Sequence, residues 1–201
     1  SIISQLIFAL LLTVFSWVFI TYLDQFVYVL LLLATAWWFA MLVFLKMAKP
    51  QLKETETSPA KLLIAFLIVP SAIIAMSTVH DMQQGAEWLL YSMMLVWIAD
   101  SGAYFSGKKF GKHKLAPNVS PGKTLEGLWG ALLATAIYAG AATYYFQLAG
   151  SQAYILITLS LLLTIISVAG DLYESYLKRE AGIKDSGNIL PGHGGILDRV
   201  D

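Results

Sequence analysis

The chain contains no cysteine among its 201 residues. This absence excludes a disulfide-stapled scaffold, a zinc site with cysteine ligands and a thiol nucleophile. The three histidines, His80, His113 and His193, lie in three separate segments. That separation excludes a His-rich metal site, and the chain offers no credible Ser-His-Asp triad.

Charge is also scarce. Charged residues make up 13% of the chain, whereas soluble domains carry about 25%. Thirteen Lys and Arg balance thirteen Asp and Glu, so the formal net charge is zero. Because nucleic-acid-binding domains are strongly basic, this balance excludes a nucleic-acid partner. Hydrophobic residues reach 58%, and the mean hydropathy of +0.68 favours a membrane protein.

Long apolar runs define the fold class. About 20 apolar residues of helix cross the hydrocarbon core of a bilayer, and such runs predict transmembrane helices over residues 2–22, 27–45, 62–79, 88–105, 125–146 and 154–177. Pro70 lies inside the third run, where a membrane helix tolerates it as a kink. We therefore predict an all-α, polytopic integral membrane protein. The chain starts with Ser and stops at Asp201 without a further span, so we expect a fragment of a longer protein.

The basic residues predict the orientation. Four lie between spans two and three, five between spans four and five, and four after span six, which accounts for every Lys and Arg. Because basic residues favour the cytoplasmic side of a membrane, this alternation places both termini and the polar segments in the cytoplasm. A wrong count of spans would scatter the charges over both sides.

Two cytoplasmic segments, residues 99–127 and 170–201, hold nine of the thirteen bases and eight of the thirteen acids. Asp100 stands near the end of span four, either at an interfacial helix end or facing a polar cavity. Residues 106–123 mix Lys with Gly, which suits either an anchor on anionic lipid or a phosphate cradle.

Residues 121–124 (Pro-Gly-Lys-Thr) imitate the end of a Walker A loop. The match fails because Pro117 stands where the earlier Gly is required, and because no strand is expected before it. Lys123 and Thr124 remain candidate phosphate contacts, since they open span five, where free helix N–H groups favour anions.

Asp171, Glu174, Ser175 and Lys178 follow i, i+3, i+4, i+7 spacing and so share one helix face. The stripe is either an ordinary polar face or a site for a hard cation such as Mg²⁺. Residues 191–195 (PGHGG) form a glycine-rich loop in which His193 is either structural or a proton-transfer group. Arg199 could bind a phosphate, and Asp198 could share a metal with Asp171.

These polar segments resemble the phosphatidate cytidylyltransferase (CDP-diacylglycerol synthase) family, in particular its bacterial inner-membrane members. The matching positions run through both segments: Asp100-Ser101-Gly102-Ala103-Tyr104, Ser120-Pro121-Gly122-Lys123-Thr124-x-Glu126-Gly127, Ser175-x-x-Lys178-Arg179, Lys184-Asp185 and Pro191-x-His193-Gly194-Gly195-x-x-Asp198-Arg199-x-Asp201. The resemblance runs from about Trp88 to Asp201.

The resemblance implies an enzyme that joins CTP and phosphatidate to give CDP-diacylglycerol and pyrophosphate with Mg²⁺. It also implies a second, monovalent metal such as K⁺, membrane lipid around the enzyme and a homodimer. Residues 1–87 would hold spans one to three, and residues 88–201 would form the catalytic region with cytoplasmic loops 106–124 and 178–201.

The resemblance also assigns site residues. Asp171 and Asp198 would hold the metal. Catalytic roles are implied for Lys123, Asp171, Ser175, Lys178 and Asp198. Substrate-binding roles are implied for Asp100, Ser120, Lys123, Thr124, Glu126, Arg179, Lys184, His193, Gly194, Gly195 and Arg199.

Two rival functions stay open on the sequence. The nearer one is a membrane enzyme that joins CTP to another lipid phosphate, or a lipid kinase of related design. The other is a transporter or channel in which Asp100 and Asp171 line a cation path, and it leaves the Gly- and Lys-rich segments unexplained.

Overall fold

Six helices and one short hairpin make up the described part of the chain. The computed structural model describes residues 2–48, 50 and 58–183. Its elements are α1 (Ile2–Tyr22), α2 (Asp24–Met47), α3 (Pro59–His80), α4 (Gly85–Phe110), β1 (Lys114–Ala116), β2 (Ser120–Thr124), α5 (Leu125–Tyr145) and α6 (Ser151–Glu180). Each of the six apolar runs is therefore a helix. The hairpin is the element that the sequence did not predict.

Most of the described helices have the character of membrane spans, but α4, which contains the predicted fourth span, is not among those that qualify by length and hydropathy. Four helical stretches are long and apolar enough to cross a bilayer: Gln25–Leu45, Pro59–His80, Leu125–Tyr145 and Ser151–Glu180. A shorter apolar stretch, Leu6–Tyr22, lies in α1. On α5, the side chains of Trp129, Leu133 and Ile137 are 66–69% exposed. Such a continuous apolar face is unstable in water but is solvated by lipid, so the chain is a polytopic membrane protein.

The first of two compact units comprises Ser1–Phe39 and Glu56–Ser92. In it α1 packs on α3 through aromatic edges, since the ring of Phe66 lies 5.5 Å from that of Phe8 and 5.7 Å from that of Phe15. The buried hydroxyl of Ser16 donates to the carbonyl of Leu12 at 2.8 Å, four residues earlier in the same helix. Polar groups in this unit can therefore be satisfied without a second helix.

The second unit comprises Ala40–Thr55 and Met93–Asp201. Its core brings the hairpin onto α6 and the end of α2, through the buried side chains of Leu45, Ala48, Ala116, Val119, Ala169 and Leu172. Val119, in the hairpin turn, is only 1% exposed. Burial of this turn fixes β2 against α6, because a hairpin of this size is not stable alone.

Small residues let α4 approach α5 closely in this second unit. A Cβ atom on Gly130 would overlap the side chain of Ser106, and one on Gly102 would lie 2.8 Å from the carbonyl oxygen of Gly130. Close helix approach at Gly and Ala is typical of membrane proteins. The crossing fixes the part of α4 that carries Asp100 next to the start of α5.

Candidate active site

A cavity of about 430 Å³ opens in the second unit. Four elements and the chain between them form its wall: α4, the hairpin, the first turn of α5, and α6. The lining residues are Asp100, Ala103, Tyr104, Gly107, Lys108, Leu115, Gly122, Lys123, Thr124, Gly127, Leu128, Val168 and Asp171. Two lysines and two aspartates thus face one space, which suits an anionic ligand that arrives with a cation.

The centre of this wall is an ion pair between the Lys123 ammonium and the Asp171 carboxylate. The two residues are 48 positions apart and meet because β2 packs on α6. The side chain of Lys123 is 23% exposed and that of Asp171 is 47% exposed. Since water still reaches both, the pair can open to an incoming ligand without burying a lone charge.

Asp100 faces this cavity and also a second one of about 310 Å³, lined by Val96, Asp100, Ser167, Gly170 and Asp171. The helix α4 continues for ten residues beyond Asp100, to Phe110. Asp100 is therefore not at a helix end; it lies within α4 and lines both cavities. Asp100 and Asp171 are the acidic residues that the two cavities share.

Tyr104 and Lys108 also line the cavity, although neither is among the predicted site residues. The Lys108 ammonium donates to the Tyr104 hydroxyl at 3.3 Å and lies 5.5 Å from the centre of that ring. Positions 100, 104 and 108 are spaced by four along α4, so they share one face of the helix. That spacing from Asp100 is the signal that could have identified them.

Thr124 ends β2 and begins α5. Its hydroxyl accepts a hydrogen bond from the Gly127 N–H at 3.1 Å, which makes it the N-cap of α5. The Leu125 N–H donates to the His113 carbonyl at 2.9 Å. Two of the amides expected to favour anions are thus engaged by the protein. A strand, β1, does precede residues 121–124, contrary to expectation, but these residues lie within β2 and not in a phosphate-binding loop.

Glu126, in the first turn of α5, contacts the chain that follows α4. Its carboxylate accepts from the backbone N–H of Lys112 at 3.1 Å and of His113 at 3.2 Å, and it lies 2.6 Å from Nδ1 of the His113 ring. It holds the turn between α4 and β1 and is not among the described residues that line the cavity. Nothing in the sequence spacing indicated that His113 would be its partner.

Of the polar stripe on α6 (Asp171, Glu174, Ser175 and Lys178), only part lines the cavity. Asp171 lines the cavity, whereas Glu174 and Lys178 form an ion pair with each other at 3.1 Å. Their side chains are 16% and 19% exposed. Ser175 and Arg179 lie on the same helix and are partly buried. Among the described residues, Ser120, Ser175, Lys178 and Arg179 do not line the cavity.

The remaining candidates lie outside the described residues: Lys184, His193, Gly194, Gly195, Asp198 and Arg199. The proposed sharing of a metal by Asp171 and Asp198 therefore stays a prediction. Within residues 2–48, 50 and 58–183, no three His, Asp or Glu side chains come together as a metal-binding group. Asp100, Lys123, Thr124 and Asp171 are the predicted residues that the structure brings to one cavity.

Comparison with known proteins gives this cavity a context. A family model described as "Cytidylyltransferase family" matches residues 1–201. A phosphatidate cytidylyltransferase of Haemophilus influenzae is 42% identical over 188 residues, which cover 89% of this chain and 65% of that protein. Proteins of the same name from Staphylococcus aureus and Bacillus subtilis are 48% and 47% identical over 59% of this chain.

The chain is shorter than these relatives. It spans 65% of the Haemophilus protein, and its match covers 45% of the Staphylococcus protein and 44% of the Bacillus protein. Because the family model matches along the whole chain, the chain belongs to the cytidylyltransferase family.

Proposed function

We propose that the protein is a phosphatidate cytidylyltransferase of phospholipid biosynthesis. One observation carries the proposal: the cavity sets Lys123 and Lys108 beside Asp100 and Asp171, in a chain whose relatives bear that name. Ammonium groups attract phosphates, and carboxylates attract the cation that accompanies a triphosphate.

The reaction needs no nucleophile from the protein. A phosphate oxygen of phosphatidate attacks the α-phosphorus of CTP and forms the new P–O bond of CDP-diacylglycerol. The bond from the α-phosphorus to the bridging oxygen of the β-phosphate breaks, and pyrophosphate leaves with that electron pair. Catalysis is then mostly positioning and stabilisation of charge on the phosphate oxygens.

Lys123 and Lys108 have the reach and charge to hold phosphate groups in the cavity. Lys123 would exchange its contact with Asp171 for a phosphate oxygen, which frees the Asp171 carboxylate at the same moment. The partial exposure of both side chains supports this exchange, because each can be solvated while it changes partner. The ion pair thus keeps the two charges in place before the substrates arrive.

The donors in the cavity fit Mg²⁺, since Asp100 and Asp171 offer the carboxylate oxygens that this ion prefers. Mg²⁺ is usually held by one or two carboxylates together with phosphates and water, not by a full cage of side chains. Asp171 would be its ligand together with Asp198, which lies outside the described residues. When bound, the ion would neutralise charge on the phosphates. The monovalent metal and the homodimer stay predictions.

We also propose that the protein resides in a bacterial inner membrane with this cavity facing the cytoplasm. All thirteen Lys and Arg fall in alternate connections between the apolar runs or after the last one, and such residues favour the cytoplasmic side. Lys108 and Lys123 of the cavity belong to that set. The location suits a reaction in which a lipid meets a water-soluble nucleotide.

The test is an assay of the full-length protein in lipid nanodiscs. With Mg²⁺, labelled CTP and phosphatidate, we expect CDP-diacylglycerol and pyrophosphate in equal amounts. Parallel reactions with ATP, and with other lipid phosphates, address the rival enzymes. Ion flux in liposomes without nucleotide would instead indicate a transporter or channel. Absence of CDP-diacylglycerol from a folded protein would refute the proposal.

An Asp171→Asn variant makes the test specific to the cavity. We expect it to insert into the membrane normally and to lose at least about 100-fold in turnover, because it removes a charge that acts on the phosphates or their cation. A matched control is Asp81→Asn, which changes an exposed acid in the first unit. Normal turnover of Asp171→Asn would remove Asp171 from the active site.

A further inference from the structure

We propose that Glu126 is a positioning residue: its carboxylate ties the turn at Lys112 and His113 to the start of α5 and thereby sets the place of Lys123 in the cavity. The inference rests on the proposed function for its kinetic consequence only. The family resemblance implies a substrate-binding role for Glu126, whereas this inference assigns its carboxylate a role inside the protein.

The first step is the number of hydrogen bonds that one carboxylate accepts. Oε2 accepts from the backbone N–H of Lys112 at 3.1 Å and of His113 at 3.2 Å. Oε1 lies 3.3 Å from the same His113 N–H and 2.6 Å from Nδ1 of the His113 ring. Because an ionised carboxylate can only accept hydrogen bonds, Nδ1 of His113 carries a hydrogen and donates a hydrogen bond to Oε1. Both oxygens are thus used within the protein.

The second step is that two neighbouring hydrogen bonds also join α4, or the turn that follows it, to the start of α5. The Leu125 N–H donates to the His113 carbonyl at 2.9 Å, and the Ser106 hydroxyl donates to the Glu126 carbonyl at 2.7 Å. The turn after α4, the end of α4 and the start of α5 are therefore tied at one point. The carboxylate of Glu126 bonds directly to the backbone of this turn.

The third step links this point to the cavity. Residues 114–124 form the hairpin between the tied segments, with Lys114 paired to Thr124 across the ladder. Lys123 precedes that pair by one residue and lies three positions before Glu126. A shift of the Lys112–His113 turn would therefore displace the base of the hairpin next to Lys123, because the buried Val119 holds only the far end of the hairpin against α6. The ladder cannot resist such a shift alone, because β1 has only three residues and its register is irregular between Lys114 and Ala116.

The fourth step is that the turn at Lys112 and His113 is exposed to water and therefore needs a strong hydrogen-bond acceptor to stay ordered. Lys112 and His113 are exposed, so water competes for their N–H groups and their order depends on a strong acceptor. A charged acceptor forms stronger hydrogen bonds than a neutral one. The side chain of Glu126 is 23% exposed, against 74% for His113, which keeps the acceptor itself anchored.

The experiment compares four variants in nanodiscs by hydrogen exchange and by kinetics. Glu126→Ala removes the carboxylate bonds to the turn, Glu126→Gln keeps one neutral acceptor, and His113→Ala removes the ring contact alone. Glu87→Ala is the matched control, since Glu87 also lies in the first turn of a helix and shares any general effect of a helix dipole. Exchange is followed in peptides covering residues 111–124.

We expect Glu126→Ala to accelerate exchange across residues 111–124 and to lower kcat/KM for CTP by about 10–100-fold, as a small misplacement of a catalytic group does. His113→Ala and Glu126→Gln should have smaller effects in the same direction. Glu87→Ala should change neither measurement. Should Glu126→Ala fail to fold, the two milder variants carry the same comparison.

Two outcomes overturn the inference. Loss of activity with unchanged exchange would mean that Glu126 acts in the reaction and not on the turn. Unchanged exchange and unchanged activity would mean that the turn is held without it. A wild-type protein with no turnover of CTP and phosphatidate would refute the proposed function instead, and the exchange rates alone would then decide whether Glu126 holds the turn.

Discussion

The two compact units of this chain differ in the contacts that their polar side chains make. In the first, hydroxyl groups bond within their own helix: Thr13 donates to Ala9, Ser16 to Leu12 and Ser71 to Leu67, each four residues back. In the second, polar side chains also join residues far apart in sequence. Ser106 reaches Glu126 across 20 positions, and Lys123 reaches Asp171 across 48.

This difference separates residues that keep a helix in lipid from residues that assemble a site. A hydroxyl that donates to a carbonyl of its own helix does not constrain the position of a neighbouring helix. A pair that spans several elements fixes those elements relative to each other, and it is lost when any of them moves. We therefore expect substitutions that break contacts between elements of the second unit to change turnover, and substitutions in the first unit to change stability alone.

Among the substitutions that compare the two units, the largest effect is expected from Lys123→Ala. It removes the ammonium that pairs with Asp171 in the cavity, and we expect kcat/KM for CTP to fall about 100-fold, corresponding to about 2.7 kcal/mol. Lys109→Ala is the matched control, because Lys109 is exposed and lies over the Phe110 ring, 5.3 Å from its centre. Equal losses in both variants would show that general positive charge, not the cavity, determines activity.

An intermediate effect is expected at the crossing of α4 and α5. Gly130→Ala places a methyl group against Ser106, and overpacking of this kind costs about 1–3 kcal/mol. We expect a lower Tm, followed by tryptophan fluorescence in detergent, and a several-fold loss of turnover as Asp100 is displaced. Gly140→Ala on the same helix has nothing within 4 Å of the new Cβ and should change neither. Equal behaviour of the two variants would contradict the close crossing.

The smallest effect on turnover is expected from Phe66→Ala in the first unit. The variant loses two edge-to-face ring contacts, with Phe8 and Phe15, worth about 0.5–1.5 kcal/mol each. We expect a lower Tm and an unchanged KM for CTP, measured on the folded fraction. A raised KM would break the separation between the two units, because a change confined to the first would then affect the chemistry of the second.

The apolar runs predicted the helices but not their full lengths. The run at 88–105 became a helix that ends at Phe110, and the run at 154–177 one that ends at Glu180. The reason is that hydropathy measures the thickness of the hydrocarbon core, whereas a helix continues into polar sequence for as long as its backbone bonds are made. Asp100 was therefore taken for a residue near a helix end, and it lies well inside α4.

The sequence indicated several residues that line the cavity, but not which of them contact each other. Asp100, Lys123, Thr124 and Asp171 were all selected, and all line the cavity. The pairing of Lys123 with Asp171 was not foreseen, because it depends on how β2 packs on α6. The hairpin itself was missed, since strands of three and five residues that contain Pro and Gly show no alternating pattern.

The length of α6 has a consequence for the place of the chemistry. Its 30 residues extend about 45 Å at 1.5 Å per residue, whereas the hydrocarbon core is about 30 Å thick. If Ser151 lies at one edge of that core, the excess of roughly one third begins at Asp171 and includes the polar stripe that follows it. One residue deleted between Gly150 and Asp171 would rotate that part of the helix by about 100° and draw it inward by one step. The position and orientation of Asp171 thus depend on the number of residues in the helix that precedes it.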